Sequence, residues 1–200
     1  MNLPLKEQVR ALIAGPAAVL HRAGVTATHV TVTGFALSVA AAVTLAQGRY
    51  DWTAALLIVS GLCDTLDGAV ARAGPGETRL GAFLDSTLDR AGESAVYVGS
   101  AWRGLALVRE WAGPRWDVTL PVLALASSLL VSYVRARAEG LGADCRVGLM
   151  ERTERMVLLI AAAIVAVFWE PAWAWALAAL SVLNFVTFAQ RLAHVGRALR

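Results

Sequence analysis

Residues 64–89 read D-T-L-D-G-A-V-A-R-A-G-P-G-E-T-R-L-G-A-F-L-D-S-T-L-D, with aspartates at Asp64, Asp67, Asp85 and Asp89. Asp64 and Asp67 are three residues apart, Asp85 and Asp89 four apart. Either spacing puts both side chains on one face of a helix. Strongly apolar sequence lies on both sides of the stretch. Ionisable groups in such a setting are costly, which marks them as functional candidates. Two helices that each offer a carboxylate pair can build an all-oxygen site for a hard divalent cation. Gly68 and Gly81 leave room for a ligand or a second helix to come close. Arg72 brings a planar fork suited to phosphate.

The surrounding composition is that of an integral membrane protein. Of 200 residues, 58% are hydrophobic and 16% charged, where a soluble domain carries about 25% charge. Mean hydropathy is +0.59. The net charge of +3 is modest, and no basic stripe lies on a polar domain, so nucleic acid is excluded as a partner. Cys63 sits in an apolar run and reads as a small core residue; Cys145 sits in a polar stretch as a candidate free thiol. Neither has metal-ligand spacing, and nothing in the sequence supports a disulfide between them. The N-terminus lacks the pattern of a cleaved signal peptide, which leaves the first span to serve for targeting.

The fold expected is all-α and membrane-embedded. One domain covers residues 1–200: an amphipathic interfacial helix over residues 2–22, then a bundle of six transmembrane helices over residues 23–197. In the first segment Leu3, Leu5, Val9, Leu12, Ile13 and Leu20 alternate with Lys6, Glu7, Arg10 and Arg22, the pattern of a helix lying in the interface. A soluble helix packed on the domain is its alternative. Span one is Ala23–Gly48, and span two runs from near Trp52 to about Ala71. A turn over Arg72–Leu80 carries Gly74-Pro75-Gly76. Span three starts near Leu80 with Asp85, Asp89 and Glu93 along one stripe. Spans four, five and six are Val118–Val134, Met156–Trp169 and Pro171–Gln190. Spans two, three and five are too polar or too short to rest on hydropathy alone. Of the 18 Lys and Arg, all but Arg49, Arg103, Arg109 and Arg115 fall on the side that holds the N-terminus and the turn after span two. That side is expected to be cytoplasmic, with the acids near it. The expected location is therefore a multi-pass protein of the cell membrane.

The stretch resembles the signature of the CDP-alcohol phosphatidyltransferase family: D-x2-D-G-x2-A-R, eight residues, then G-x3-D-x3-D. Asp64, Asp67, Gly68, Ala71, Arg72, Gly81, Asp85 and Asp89 fill it without departure. The resemblance, which spans essentially the whole chain, supports the six-helix count and a homodimer. It implies that Asp64, Asp67, Asp85 and Asp89 bind one or two Mg²⁺ or Mn²⁺ ions, and that Asp89 is the general base. It implies a CDP-diacylglycerol site at Thr28, Thr31, Gly68, Ala71, Arg72, Thr78 and Gly81. Where the family typically has T-P-[DN]-x-x-T, this chain has Thr26-Ala27-Thr28-His29-Val30-Thr31. Thr31 matches, whereas Ala27 and Thr28 depart. His29 reads as packing rather than catalysis. Glu93 is placed to orient Asp89 or the acceptor, or to pair with an arginine.

A second polar zone holds Arg135, Arg137, Arg152, Arg155 and Arg191. Its plain reading is positive-inside anchoring with snorkelling side chains; its sharper one is a pocket for a phosphorylated acceptor. Ser132–Glu139, Glu151–Arg155 and Gln190–Arg191 look like the matching stretches of actinobacterial phosphatidylinositol-phosphate synthases. That likeness implies an acceptor-phosphate site of Arg135, Arg155 and Arg191, with Arg135 in place of the usual Lys. The partners implied are CDP-diacylglycerol, inositol 1-phosphate and membrane lipids. The reaction implied is phosphatidyl transfer from the first to the second, giving phosphatidylinositol phosphate and CMP. A phosphatidyltransferase using glycerol 3-phosphate is the alternative within the class. A cation or proton carrier is the alternative outside it, and Arg72 between the acid pairs speaks against a carrier.

Overall fold

The computed structural model describes residues 3–74, 76 and 78–199, with side chains from Ile13 onward. Asn2, Pro75 and the polar–apolar pattern of residues 3–12 lie outside the residues so described. Among the described residues every regular element is a helix: α1 (Leu3–Arg22), α2 (Ala27–Ala46), α3 (Tyr50–Ala73), α4 (Arg79–Arg103), α5 (Ala106–Ala112), α6 (Trp116–Glu139), α7 (Arg152–Ala166) and α8 (Pro171–Ala198).

Four of these, α2, α3, α6 and α8, are long and apolar enough to cross a membrane. The two remaining expected spans differ from them for separate reasons. At 25 residues, α4 has ample length, but Asp85, Asp89, Arg90 and Glu93 along it lower its hydropathy. At 15 residues, α7 is about 22 Å long, short of the roughly 30 Å hydrocarbon core. Helix α5 was not anticipated; it has no buried residue and ends at Gly113 in a left-handed conformation. The expected turn is tighter than Arg72–Leu80, because α3 runs on to Ala73 and α4 resumes at Arg79.

The chain packs as two compact units. The first comprises residues 1–40 and 55–93, and thus α1, most of α2 and α3, and the start of α4. Its apolar centre is Ala17, Val30 and Val70, joined by Leu20, Val25, Cys63, Leu66 and Ala69. Small residues bring its helices together, as is usual where lipid replaces water around a bundle. A Cβ on Gly34 would lie 3.1 Å from that of Cys63, and one on Gly92 2.9 Å from that of Ser38. The Ser60 hydroxyl donates to the Gly34 carbonyl at 2.9 Å and meets the Ser38 hydroxyl at 2.8 Å. These bonds satisfy polar groups that the bilayer could not.

The second unit comprises residues 41–54 and 94–200. Here α8 packs on α6 and α7, burying Ala124, Val131, Leu159, Ala163, Trp173, Leu177 and Leu180. The Trp173 indole N–H donates to Ser100 Oγ at 2.8 Å. Gly99 admits the backbone of Ala42, whose oxygen would be 2.3 Å from a Cβ there. Arg103 lies over the Tyr50 ring and pairs with Glu170 at 2.5 Å. Asp117, 2% exposed, takes both Nε and Nη2 of Arg109 on its Oδ2.

Both cysteines are free. Cys145 is fully buried against Val134 and Ala138, although its neighbours in sequence are polar. Val147, Phe188 and Val195 close around it, and the segment after α6 is tied to α8 where the Met150 N–H donates to Thr187 Oγ1 at 3.0 Å.

Candidate metal and nucleotide site

The first unit gathers Asp64 and Asp67 from α3 with Asp85 from α4. One carboxylate oxygen of each lies within 4.8 Å of the others. The i, i+3 spacing on α3 and the α3–α4 turn together create this convergence. Asp67 is the most enclosed, at 7% exposure; Asp85 is half-buried and Asp64 partly exposed. Asp67 is also held in place. The Thr31 hydroxyl donates to its Oδ2 at 2.8 Å, and the Gly68 N–H to its Oδ1 at 2.6 Å. Three carboxylates at this separation repel one another strongly. A hard divalent cation offsets that repulsion, and an all-oxygen donor set suits Mg²⁺ or Mn²⁺. Asp89 follows one turn beyond Asp85 on α4 and is not one of the three converging groups. Glu93, a further turn on, is buried at 4% exposure.

Beside the carboxylates opens a cavity of about 390 Å³. Thr28, Thr31, Gly68, Ala71, Thr78 and Gly81 line it, together with Asp67 and Asp85. Arg72 does not; its guanidinium lies alongside Gly68, with Nη1 3.2 Å from where a Cβ would be. A side chain at residue 68 would therefore push on the arginine.

Local helix chemistry explains why these residues face the cavity. The Thr78 hydroxyl accepts the Gly81 N–H at 2.9 Å, which is the N-cap bond of α4. The same Oγ1 would lie 3.0 Å from a Cβ on Gly81. At the start of α2, Thr26 and His29 cap each other. The Thr26 N–H donates to His29 Nδ1 and the His29 N–H to Thr26 Oγ1, both at 3.3 Å. This is a capping box with imidazole in place of Glu or Gln, so His29 sets the start of α2. Thr26 of the stretch quoted above and Gly76 of the turn also line the cavity, as do His21, Val70 and Ala82, which the sequence does not single out.

The arginines belong to the second unit. Arg135 (α6) bonds through Nε to Glu139 at 2.9 Å. Arg155 (α7) is 1% and Arg191 (α8) 2% exposed. Arg191 donates from Nε to the Val147 carbonyl at 2.8 Å and from Nη1 to the Val131 carbonyl at 2.7 Å. Arg155 Nη1 reaches the Met150 carbonyl at 3.4 Å. Arg135 and Arg155 both lie within electrostatic reach of Arg191, as does Glu151. The structure thus brings the three expected arginines into one neighbourhood, two of them well buried.

Residues 25–188 match the family model for CDP-alcohol phosphatidyltransferase. The chain is 39% identical over 181 residues to an archaetidylinositol phosphate synthase of Methanothermobacter thermautotrophicus, covering 90% of this chain and 87% of the relative. It is 39% identical over 196 residues to a phosphatidylinositol phosphate synthase of Mycobacteroides abscessus, covering 94% and 86%. Among solved structures, it resembles Mycobacterium tuberculosis phosphatidylinositol phosphate synthase with CDP-DAG bound. The TM-score is 0.82 at 34% identity, over 92% of this chain and 94% of that one. The same enzyme in complex with manganese and citrate gives a TM-score of 0.81 at 35% identity, over 92% and 88%.

Proposed function

The chain belongs to the CDP-alcohol phosphatidyltransferase family, and from that premise we propose that it moves a phosphatidyl group from CDP-diacylglycerol to inositol 1-phosphate. The products are phosphatidylinositol phosphate and CMP. The observation that carries the donor half is the carboxylate cluster at the wall of a cavity lined mostly by small and hydroxyl-bearing residues. The acceptor half is supported by the relatives. Archaetidyl and phosphatidyl enzymes carry different lipid names but share inositol phosphate in both.

Asp64, Asp67 and Asp85 are the residues that would hold Mg²⁺ or Mn²⁺, one ion or two, with Asp89 as a further candidate ligand. A bound divalent cation neutralises a diphosphate and stabilises charge on the departing phosphate. Thr31 keeps the Asp67 carboxylate aimed. Thr28, Thr31, Gly68, Ala71, Thr78 and Gly81 form the nucleotide side of the donor site, with Arg72 nearby for phosphate. Asp89 takes the proton of the attacking inositol hydroxyl. The hydroxyl oxygen bonds to the phosphorus that carries diacylglycerol, the bond from that phosphorus to CMP breaks, and CMP leaves with the electron pair. Catalysis on this reading is mostly positioning and electrostatics. Arg135, Arg155 and Arg191 bind the acceptor phosphate.

The same reading gives six spans, with α4 and α7 joining the four apolar helices. A polar stripe on α4 is what a helix facing a site inside a bundle carries. It keeps α1 at the interface, the site at the cytoplasmic side where the basic residues concentrate, and a homodimer as the assembly.

The test is CMP release from CDP-diacylglycerol with Mg²⁺, measured across inositol 1-phosphate, free inositol and glycerol 3-phosphate. Inositol 1-phosphate is expected to support turnover and free inositol to fail, because buried guanidinium groups need an anion. Preference for glycerol 3-phosphate would overturn the inositol assignment alone. Preference for free inositol would overturn the arginine pocket as well.

A further inference from the structure

The cavity next to the carboxylates has two chemically distinct ends. One is the carboxylate end, with Asp67, Asp85 and Thr31. The other follows α3 toward its C-terminus, past Val70 and Ala71, to Gly76 and His21. Gly74 is seven positions after Asp67, a rise of about 10 Å along a helix. A ribose and a pyrimidine ring bridge a gap of that order.

His21 comes from the last turn of α1. Among the described residues lining the cavity, it is the one with a ring. The ring rests on Gly74, just past the end of α3. A Cβ at Gly74 would lie 2.8 Å from His21 Cε1 and 3.2 Å from Nδ1. A side chain at Gly74 would push the imidazole out of this place. The remaining lining is aliphatic, hydroxyl-bearing, carboxylate or glycine. None of it offers a flat face.

We propose that His21, seated on Gly74, is the platform on which the base of the nucleotide-activated lipid stacks, and so a specificity-determining residue for the donor. Aromatic faces, His among them, are common partners for unstacked bases. The proposal rests on the donor reading above. It adds that the diphosphate lies at the carboxylate end and the base at the α1 end. Helix α1 thereby becomes part of the active site as well as a membrane contact.

The test uses purified full-length protein and four variants: His21→Ala, His21→Phe, Gly74→Ala and the double variant His21→Ala/Gly74→Ala. The readouts are KM for CDP-diacylglycerol, KM for inositol 1-phosphate, and binding of CMP and of inorganic diphosphate. Loss of one base stack weakens binding by roughly tenfold or more. His21→Ala is therefore expected to raise the donor KM and the CMP dissociation constant by about that factor. Diphosphate binding and the acceptor KM should stay as in wild type. His21→Phe keeps a flat ring and is expected to restore most of the loss. Gly74→Ala should act like His21→Ala, and the double variant should be no worse than His21→Ala, since both changes remove one interaction.

A parallel loss of CMP and diphosphate binding would overturn the proposal by making His21 a phosphate contact. Equal failure of the Ala and Phe variants would overturn stacking in favour of a hydrogen bond. Unchanged CMP binding in His21→Ala, with an active wild type, would remove His21 from the site and leave the donor reading intact. A wild type that binds no CMP would end both.

Discussion

Replacing Asp67 by Asn tests the metal site in a way that separates chemistry from folding. The three converging carboxylate oxygens lie within 4.8 Å of one another. With no cation between them, each ionised pair repels by about 3 kcal/mol or more at an effective dielectric of about 20. Solvent near the partly exposed Asp64 reduces its share. The Asp67–Asp85 pair is the better shielded from water and dominates. Asparagine has nearly the same shape, and its carbonyl oxygen can still accept from Thr31 or the Gly68 N–H. Without metal, Asp67→Asn should therefore be at least as stable as wild type. With metal the order reverses. A cation at a hundred times its Kd stabilises the wild type by about 2.7 kcal/mol, a rise in Tm of roughly 5–10 °C for a chain of this size. The variant should show little of that rise, and no CMP release. The assay is thermal unfolding in detergent, in EDTA and then across a Mn²⁺ titration, with CMP release measured on the same samples. A wild-type-like Mn²⁺ shift in the variant, or full wild-type activity in EDTA, would refute the argument.

Two further outcomes follow from the reading of the site. Asp89→Asn should leave the KM for CDP-diacylglycerol near wild type and lower turnover about a hundredfold or more, the usual cost of removing a positioned base; steady-state kinetics decide it, and an unchanged rate removes Asp89 as the base. Arg135→Ala should raise the KM for inositol 1-phosphate by roughly tenfold or more, as expected for a lost charge-assisted hydrogen bond, with the donor KM and Tm little changed and partial recovery in Arg135→Lys; a shift in the donor KM instead would take Arg135 out of the acceptor pocket.

Much of the site was legible because its signal is short-range. The three-residue spacing of Asp64 and Asp67, plus a glycine-rich turn, suffices to bring α3 acids together with Asp85 of α4. Thr78 entered through resemblance alone; its structural reason is local, a cap on α4. Other features depended on chain segments meeting in space. His21 ends an amphipathic segment and carries no motif, and Gly74 read only as a turn residue, so nothing local links them. His29 hid a capping box because imidazole stands where Glu or Gln usually marks one. Cys145 lies in a polar stretch and is free, as read from sequence; its burial is not legible there because it comes from Val134 and Ala138 on the preceding helix and from Phe188 and Val195 on α8. Hydropathy could not settle α4 and α7, since a helix that supplies a polar site, or a short one, loses the long apolar run on which such counting depends.

The arginines show why a residue can be legible in position and not in role. From sequence, Arg135, Arg155 and Arg191 are equally consistent with anchors that snorkel to the headgroups. Such anchors keep their charge in water. Arg155 and Arg191 do not: they are 1% and 2% exposed. The two Arg191 hydrogen bonds go to neutral carbonyls of Val147 and Val131, which fix the guanidinium without cancelling its charge. Arg135 and Arg155 add like charge from nearby, against Glu151 alone of opposite sign among the carboxylates bearing on it. Taking the Arg191 guanidinium out of water in this way is costly unless an anion completes the arrangement. The carbonyl bonds also tie α8 to the segment leading into α7, so they hold Arg191 and Arg155 in register before any ligand arrives. A preorganised, desolvated cationic cluster fits a phosphorylated acceptor better than a membrane anchor, and it is the physical reason to expect free inositol to be refused.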